Sequence, residues 1–256
     1  MIDKQELHSK IKSLEPWFYD FDLGNGVKID SKLPQEVKDI HETRLEMVKT
    51  AISDHFGDAS QEINCLDIGC HEGFFSLELA NRFKSVTGVD VRKESLEKAE
   101  LVREYKEVSN VSFEEGNCYD LDKHSKGQYE LTLFLGVLYH LDNPIKALNS
   151  VSQSTTDFCL IETQVIDEVE GETEWGGKDW HREYKGVFAL IDERPEFDKN
   201  QPESGSSGVI LCPSTAALIF LLKSVGFKTV KVLPAPKGGY EQFVRGKRVI
   251  VSASKK

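Results

Sequence analysis

Apolar residues along this chain follow two rhythms. In the first 60 residues, Val37, Ile40, Leu45, Val48 and Ile52 recur at helical spacing and predict one amphipathic helix. Ahead of it stands an aromatic cluster, Pro16-Trp17-Phe18-Tyr19-Asp20-Phe21, which either caps the core or lines a pocket from above. Asn25-Gly26, between Leu23 and Val27, predicts a tight turn because both residues tolerate positive φ.

From Ile63 the second rhythm begins, short apolar runs alternating with helical stretches. The predicted strands are 64–68, 85–89, 111–113, 131–135 and 158–161, with helices at 74–83 and 93–107. Strands and helices alternating at these lengths mean βαβ units and a parallel sheet covered on both faces. Residues 167–198 interrupt the pattern with eleven acidic residues against four basic ones, together with Trp175, Trp180, His181 and Tyr184. Gly205-Ser206-Ser207-Gly208 then reads as a flexible link. A loop of this length in a compact domain acts as a lid or stays disordered. Regularity returns with Ser214 as N-cap of a helix to Ser224, closed by Gly226, and with strands at 229–232 and 248–252. The expected organisation is a cap segment over 1–60 and a main α/β domain over 61–256, carrying a lid insertion at 167–210.

Charge and cysteine usage narrow the functions on offer. The 256 residues carry a net charge of −11, which repels a phosphate backbone over most of the surface and disfavours nucleic acid. One stretch reverses the sign: 228–256 holds Lys228, Lys231, Lys237, Arg245, Lys247, Arg248, Lys255 and Lys256 against Glu241 alone, and reads as a solvated tail and strand edge. Five cysteines without a C-x-x-C pair predict buried small hydrophobes, with no disulfide framework and no metal site. No apolar run is long enough to span a bilayer, and the N-terminal residues lack a leader pattern, so a cytoplasmic location away from membranes is expected.

Four motifs carry chemistry. The first predicted strand exits into Asp67-Ile68-Gly69-Cys70-His71-Glu72-Gly73, a glycine turn that opens a helix and lets backbone approach a ligand closely. Asp90 closes the second strand, where a carboxylate accepts bonds from both hydroxyls of a ribose or caps the next helix. Gly116-Asn117-Cys118 follows the third strand. Leu135-Gly136-Val137-Leu138-Tyr139-His140-Leu141-Asp142-Asn143-Pro144 ends the fourth, at the strand tips where open parallel sheets bind ligands.

Together these residues resemble the class I methyltransferases that use S-adenosylmethionine (SAM). His71 stands at the middle glycine of their D-x-G-x-G-x-G motif. More narrowly, Leu135-Gly-Val-Leu-Tyr-His140 with Asn143-Pro144, Leu160-Ile-Glu-Thr-Gln-Val-Ile-Asp167, Cys212-Pro-Ser-Thr-Ala-Ala-Leu218 and Asp22-Leu-Gly-Asn-Gly-Val27 are similar to the group of the wobble-uridine tRNA carboxymethyltransferase. The resemblance implies a doubly wound, mostly parallel seven-stranded sheet of Rossmann-like type with an N-terminal helical cap. It implies SAM held by Asp67, Gly69, Cys70, His71, Gly73, Asp90, Val91, Asn117, Cys118 and Leu135. Asn117 and Cys118 would then hold the adenine. Leu141-Asp142 after His140, and Phe18-Tyr19 after Trp17, stand where the carboxymethyl-transferring enzymes have basic residues, which argues for ordinary SAM.

Methyl transfer requires an acceptor in line with the donor methyl, about 3–3.5 Å away. His140, with an ordinary pKa near 6.5, is the expected base, and Tyr139 orients the acceptor or shapes the donor pocket. Glu162 either binds a polar acceptor group or bridges to the lid. Trp17, Tyr19, Trp175, Trp180 and His181 are expected to cover the pocket and exclude water. The leading expectation is a methyltransferase acting on a small molecule, a sugar or a secondary metabolite. Competing readings are a tRNA acceptor, a non-catalytic SAM-binding partner module and, most distantly, an NAD-dependent dehydrogenase.

Overall fold

The computed structural model describes residues 4–121, 128–194 and 208–256. Its centre is a seven-stranded sheet in the order β12-β13-β7-β6-β3-β4-β5. These strands are β3 (Asn64–Ile68), β4 (Ser85–Asp90), β5 (Val111–Glu115), β6 (Tyr129–Leu135), β7 (Thr155–Gln164), β12 (Thr229–Val232) and β13 (Arg248–Ser254). β3 pairs parallel with β4, and β4 with β5, while β13 runs antiparallel to both of its neighbours. Strand order reverses between β3 and β6, the topological switch of a doubly wound class I methyltransferase fold. By internal contacts the chain divides into two compact units, 1–133 and 134–256. Among the described residues no helix is long and apolar enough to cross a membrane.

In the first unit, α1 (Lys4–Ser13) precedes the hairpin β1 (Phe21–Gly24) and β2 (Val27–Ile29). Asn25 and Gly26 turn this hairpin with φ of 51° and 74°, as the dipeptide predicts. α2 (Gln35–Phe56) buries Ile40, Val48 and Ile52. The βαβ core packs α3 (Phe74–Glu78) and α4 (Lys93–Tyr105) around strands whose Leu66, Ile68, Val86 and Val89 are buried. The helix expected over 74–83 stops at Glu78 and gives way to a 3₁₀ turn at Ala80–Arg82. The amide nitrogen of Asn110, just before β5, donates to the carbonyls of Ala80 (2.7 Å) and Phe83 (3.0 Å) and so ties this turn down.

In the second unit, α5 (Pro144–Ser154) starts on Asn143, whose side chain accepts the Lys146 N–H, with Pro144 at the first helical position. α6 (Thr215–Ser224) starts on Ser214, whose hydroxyl accepts the Ala217 N–H, as expected from sequence. α7 (Glu241–Val244) leads into β13. The basic stretch here departs from expectation. β13 lies between β12 and β7 rather than at the sheet edge, because Val249, Ile250, Val251 and Ala253 need cover on both faces. Arg248 is drawn inside with them.

The interruption at 167–198 is only partly a loop. β8 (Glu172–Glu174) and β9 (His181–Glu183) form an exposed hairpin, whereas β10 (Phe188–Asp192) pairs along its whole length with β11 (Val209–Pro213). The start of α6 anchors this return. Val187 N–H donates to the Ser214 hydroxyl, Ser214 N–H to the Val187 carbonyl, and Ala216 N–H to Glu168. Gly186 makes the approach possible, since a Cβ there would sit 2.1 Å from the Ala217 nitrogen. Residues 205–207 of the expected flexible link lie outside the described residues.

Candidate functional site

Within the first unit, the turn after β3 is pinned to β4. Gly69 and Cys70 donate to the Val89 carbonyl at 2.7 and 3.1 Å, and Gly73 donates to the Cys70 carbonyl. Gly69, His71 and Gly73 all have positive φ, 72°, 53° and 75°. This bend needs left-handed backbone at three of five positions, and glycine supplies two without strain. His71 adopts that conformation as a non-glycine residue.

Asp90 ends β4 beside this bend. Its Oδ2 accepts the His71 N–H at 2.8 Å and its Oδ1 accepts the Arg92 N–H at 2.9 Å. Burial raises the Asp90 pKa, and those two backbone N–H groups oppose the shift. The Val91 N–H acts in the same direction, and a carboxylate with about four lone-pair sites still has room for a further donor. Asp67, by contrast, faces inward. Its Oδ2 accepts the Ser76 hydroxyl at 2.7 Å, and burial lifts its pKa to about 6. Its side chain therefore serves the junction of strand and helix.

His71 is enclosed. Its ring lies 5.0 Å from that of Phe18 and 5.8 Å from that of Tyr19, and neither nitrogen has a hydrogen-bond partner among the described residues. Burial pushes its pKa down to about 3, so the imidazole is neutral at physiological pH. The aromatic segment sits over the bend because Glu72 holds it there. Glu72, completely buried, accepts the Phe18 and Tyr19 N–H groups at 3.0 Å and pairs with Lys98 at 2.8 Å. Sequence reading passed over Glu72, an acid beside a glycine turn that periodicity leaves unmarked. Trp17 is buried, with its indole N–H on the Ile11 carbonyl, and Tyr19 stacks on Phe74 at 4.8 Å.

After β5, Asn117 closes a turn by accepting the Tyr119 N–H on its side-chain oxygen, and Cys118 is buried. Gly116 donates to the Asp90 carbonyl, which ties this turn to the end of β4. Val91 keeps an apolar side chain 52% exposed beside Asp90.

Within the second unit, β6 ends at Leu135 and a 3₁₀ turn, Leu138–His140, presents Tyr139 and His140 half-buried, their ring centroids 4.0 Å apart. Glu162, at the end of β7, is fully buried and pairs with Arg248 of β13 at 2.5 Å. Burial opposes the Arg248 charge, yet the Glu162 carboxylate and the Tyr139 hydroxyl outweigh it and keep the guanidinium pKa above its ordinary value. The Arg248 Cζ stands 4.9 Å from the Tyr139 ring centroid. Trp175, Trp180 and His181 lie exposed on the β8–β9 hairpin, with Arg182 against both indoles at 4.5 and 5.8 Å.

Residues 59–193 match a sequence family described as a methyltransferase domain. The O-antigen chain terminator bifunctional methyltransferase/kinase WbdD of Escherichia coli is 24% identical over 131 residues, 49% of this chain and 18% of WbdD. The chain therefore spans only part of that relative's length. The tRNA U34 carboxymethyltransferase of Wolinella succinogenes is 24% identical over 244 residues, 94% of this chain and 74% of that protein. Among solved structures, the N-terminal domain of EvdMO1 in the presence of SAH and D-fucose matches with a TM-score of 0.73 at 21% identity, covering 100% of this chain and 98% of that one. At that identity the likeness speaks for the fold.

Proposed function

The chain belongs to the methyltransferase-domain family, and from that premise we propose that it moves a methyl group from S-adenosylmethionine to an oxygen or nitrogen of a small-molecule acceptor, a sugar or a secondary metabolite. One observation carries the small-molecule reading. Half of the eight basic residues in 228–256 are paired with carboxylates of the chain itself: Arg245 with Glu241, Lys247 with Asp167, Arg248 with Glu162 and Lys256 with Asp157. The one stretch able to offset a net charge of −11 before a phosphate backbone is thus half neutralised. The presence of SAH and D-fucose in the EvdMO1 structure, and the O-antigen in the name of WbdD, support a sugar.

The residues of the first unit fit the cofactor. Asp90, at the tip of β4, keeps acceptor capacity beyond its backbone bonds and suits the ribose hydroxyls. Gly69 adds no side chain to the bend, Gly73 makes room for the Phe113 ring packed against it, and the His71 imidazole, neutral and unpartnered among the described residues, offers one donor and one acceptor. Val91 gives an apolar face and Asn117 with Cys118 a polar edge for an adenine. When bound, the cofactor supplies an electrophilic methyl group on sulfur. His140 takes the proton of the acceptor hydroxyl, Tyr139 orients the acceptor, and Glu162 acts through Arg248. Trp17 and Tyr19 roof the glycine bend. Trp175, Trp180 and His181 belong to a lid over the acceptor.

The experiment is methyl transfer from labelled SAM to a panel of free and nucleotide-linked sugars, run beside bulk tRNA. Incorporation into a sugar that survives ribonuclease and changes little between 50 and 200 mM salt supports the proposal. A tRNA product whose yield collapses over that salt range refutes it, since phosphate contacts lose about 10³–10⁵ in affinity there. The 94% coverage by the Wolinella relative keeps tRNA as the second reading.

A further inference from the structure

Arg248 stands 5% exposed in the second unit, where a solvated strand was expected. Two neighbours fix its plane. Nη1 donates to Glu162 Oε1 on β7 at 2.5 Å, and Nε donates to Gln242 Oε1 on α7 at 3.0 Å. The third neighbour is Tyr139, whose ring centroid is 4.9 Å from Cζ and which in turn meets His140 at 4.0 Å. A buried ion pair is a poor stabiliser, because apolar residues of equal volume serve as well or better. Apolar residues would not supply a rigid, planar cation against an aromatic ring, and lysine would supply the charge without the plane.

We propose that Arg248 is a positioning residue: clamped by Glu162 and Gln242, it fixes the Tyr139 ring and, through it, the His140 imidazole at the end of β6. The catalytic consequence rests on reading Tyr139 and His140 as acceptor-side residues; the clamp itself does not.

The test uses the full chain labelled with 3-fluorotyrosine, in which Tyr139→Phe identifies the Tyr139 fluorine resonance. Arg248→Lys keeps the charge and discards the fork. The Tyr139 resonance is expected to shift and broaden while the other tyrosines hold theirs, and Glu162→Gln should reproduce the change. An unmoved Tyr139 resonance in folded Arg248→Lys overturns the proposal, since the turn at 138–140 would then set the ring alone. If Arg248→Lys does not fold, the double variant Glu162→Met with Arg248→Met leaves no charge without its partner and is read the same way. With an acceptor in hand, Arg248→Lys should lower kcat at least tenfold with the KM for SAM unchanged, and should cost nothing further in Tyr139→Phe. Losses that multiply across the two backgrounds overturn the coupling. A resonance shift in a protein that methylates nothing keeps the clamp and removes the acceptor-side reading.

Discussion

The Asp90 carboxylate and the His71 backbone N–H meet at 2.8 Å, joining the tip of β4 to the bend that leaves β3. One acid thus shapes the glycine bend and, in the proposed site, grips the ribose. Asp90→Ala should weaken SAH binding by ~100-fold, about 3 kcal/mol, the scale of losing two charged hydrogen bonds. Titration calorimetry reads this directly. Binding within threefold of the native chain would separate Asp90 from the cofactor.

Glu72 anchors residues 16–19 over the same bend through two backbone N–H groups and Lys98. Removing one partner of a buried pair strands the other. Glu72→Ala should therefore cost about 3 kcal/mol, seen as a lower urea midpoint. A loss under about 1 kcal/mol is the behaviour of an exposed pair and would show the anchor to be superficial.

Two buried groups titrate in opposition. His71 falls from 6.5 to about 3, so it prefers to be neutral in the fold and its stability is lost as pH drops below 6.5. Asp67 rises from 3.8 to about 6, so its contribution is present at low pH and lost as pH rises through 6. Between roughly pH 4 and 6 each has a slope of up to about 1.4 kcal/mol per unit, and the two slopes cancel. His71→Gly should gain stability on acidification across that window relative to the native chain, and Asp67→Asn should lose it. Thermal melts at pH 4.5, 5.5 and 7 check the crossing; parallel profiles for the two variants would contradict it.

Trp175 and Trp180 are 50% and 59% exposed on the β8–β9 hairpin. Surface changes of this kind stay within about 0.5 kcal/mol, so Trp175→Ala and Trp180→Ala should leave the urea midpoint in place. In the proposed lid role they raise the acceptor KM severalfold while the KM for SAM holds. Unchanged acceptor kinetics in both variants would take the hairpin out of the site.

Where periodicity and turn chemistry act locally, expectation and structure agree. β3, β12, the Asn25-Gly26 turn and the Ser214 cap occur where residue types call for them. Agreement fails where a distant group intervenes. Where a helix was expected to run on to 83, the turn at 80–83 is held by Asn110, 30 positions beyond Ala80. β10 forms because an apolar run at 209–213 lies beside it, although the acidic composition around 188–192 suggested a bare loop. Arg248 looked like one of eight surface cations because nothing nearby in the chain marks its partner, 86 residues away.

Local order sets which segments become strand, helix or glycine bend, since backbone preference and side-chain spacing act over a few residues. It also placed Asp90 and the Tyr139-His140 pair at strand ends. Pairing across the chain was decided only by the tertiary structure: Glu72 with residues 18 and 19, and Glu162 with Arg248. An ion pair depends on where two folded elements bring their charges, and spacing along one segment carries no record of the other.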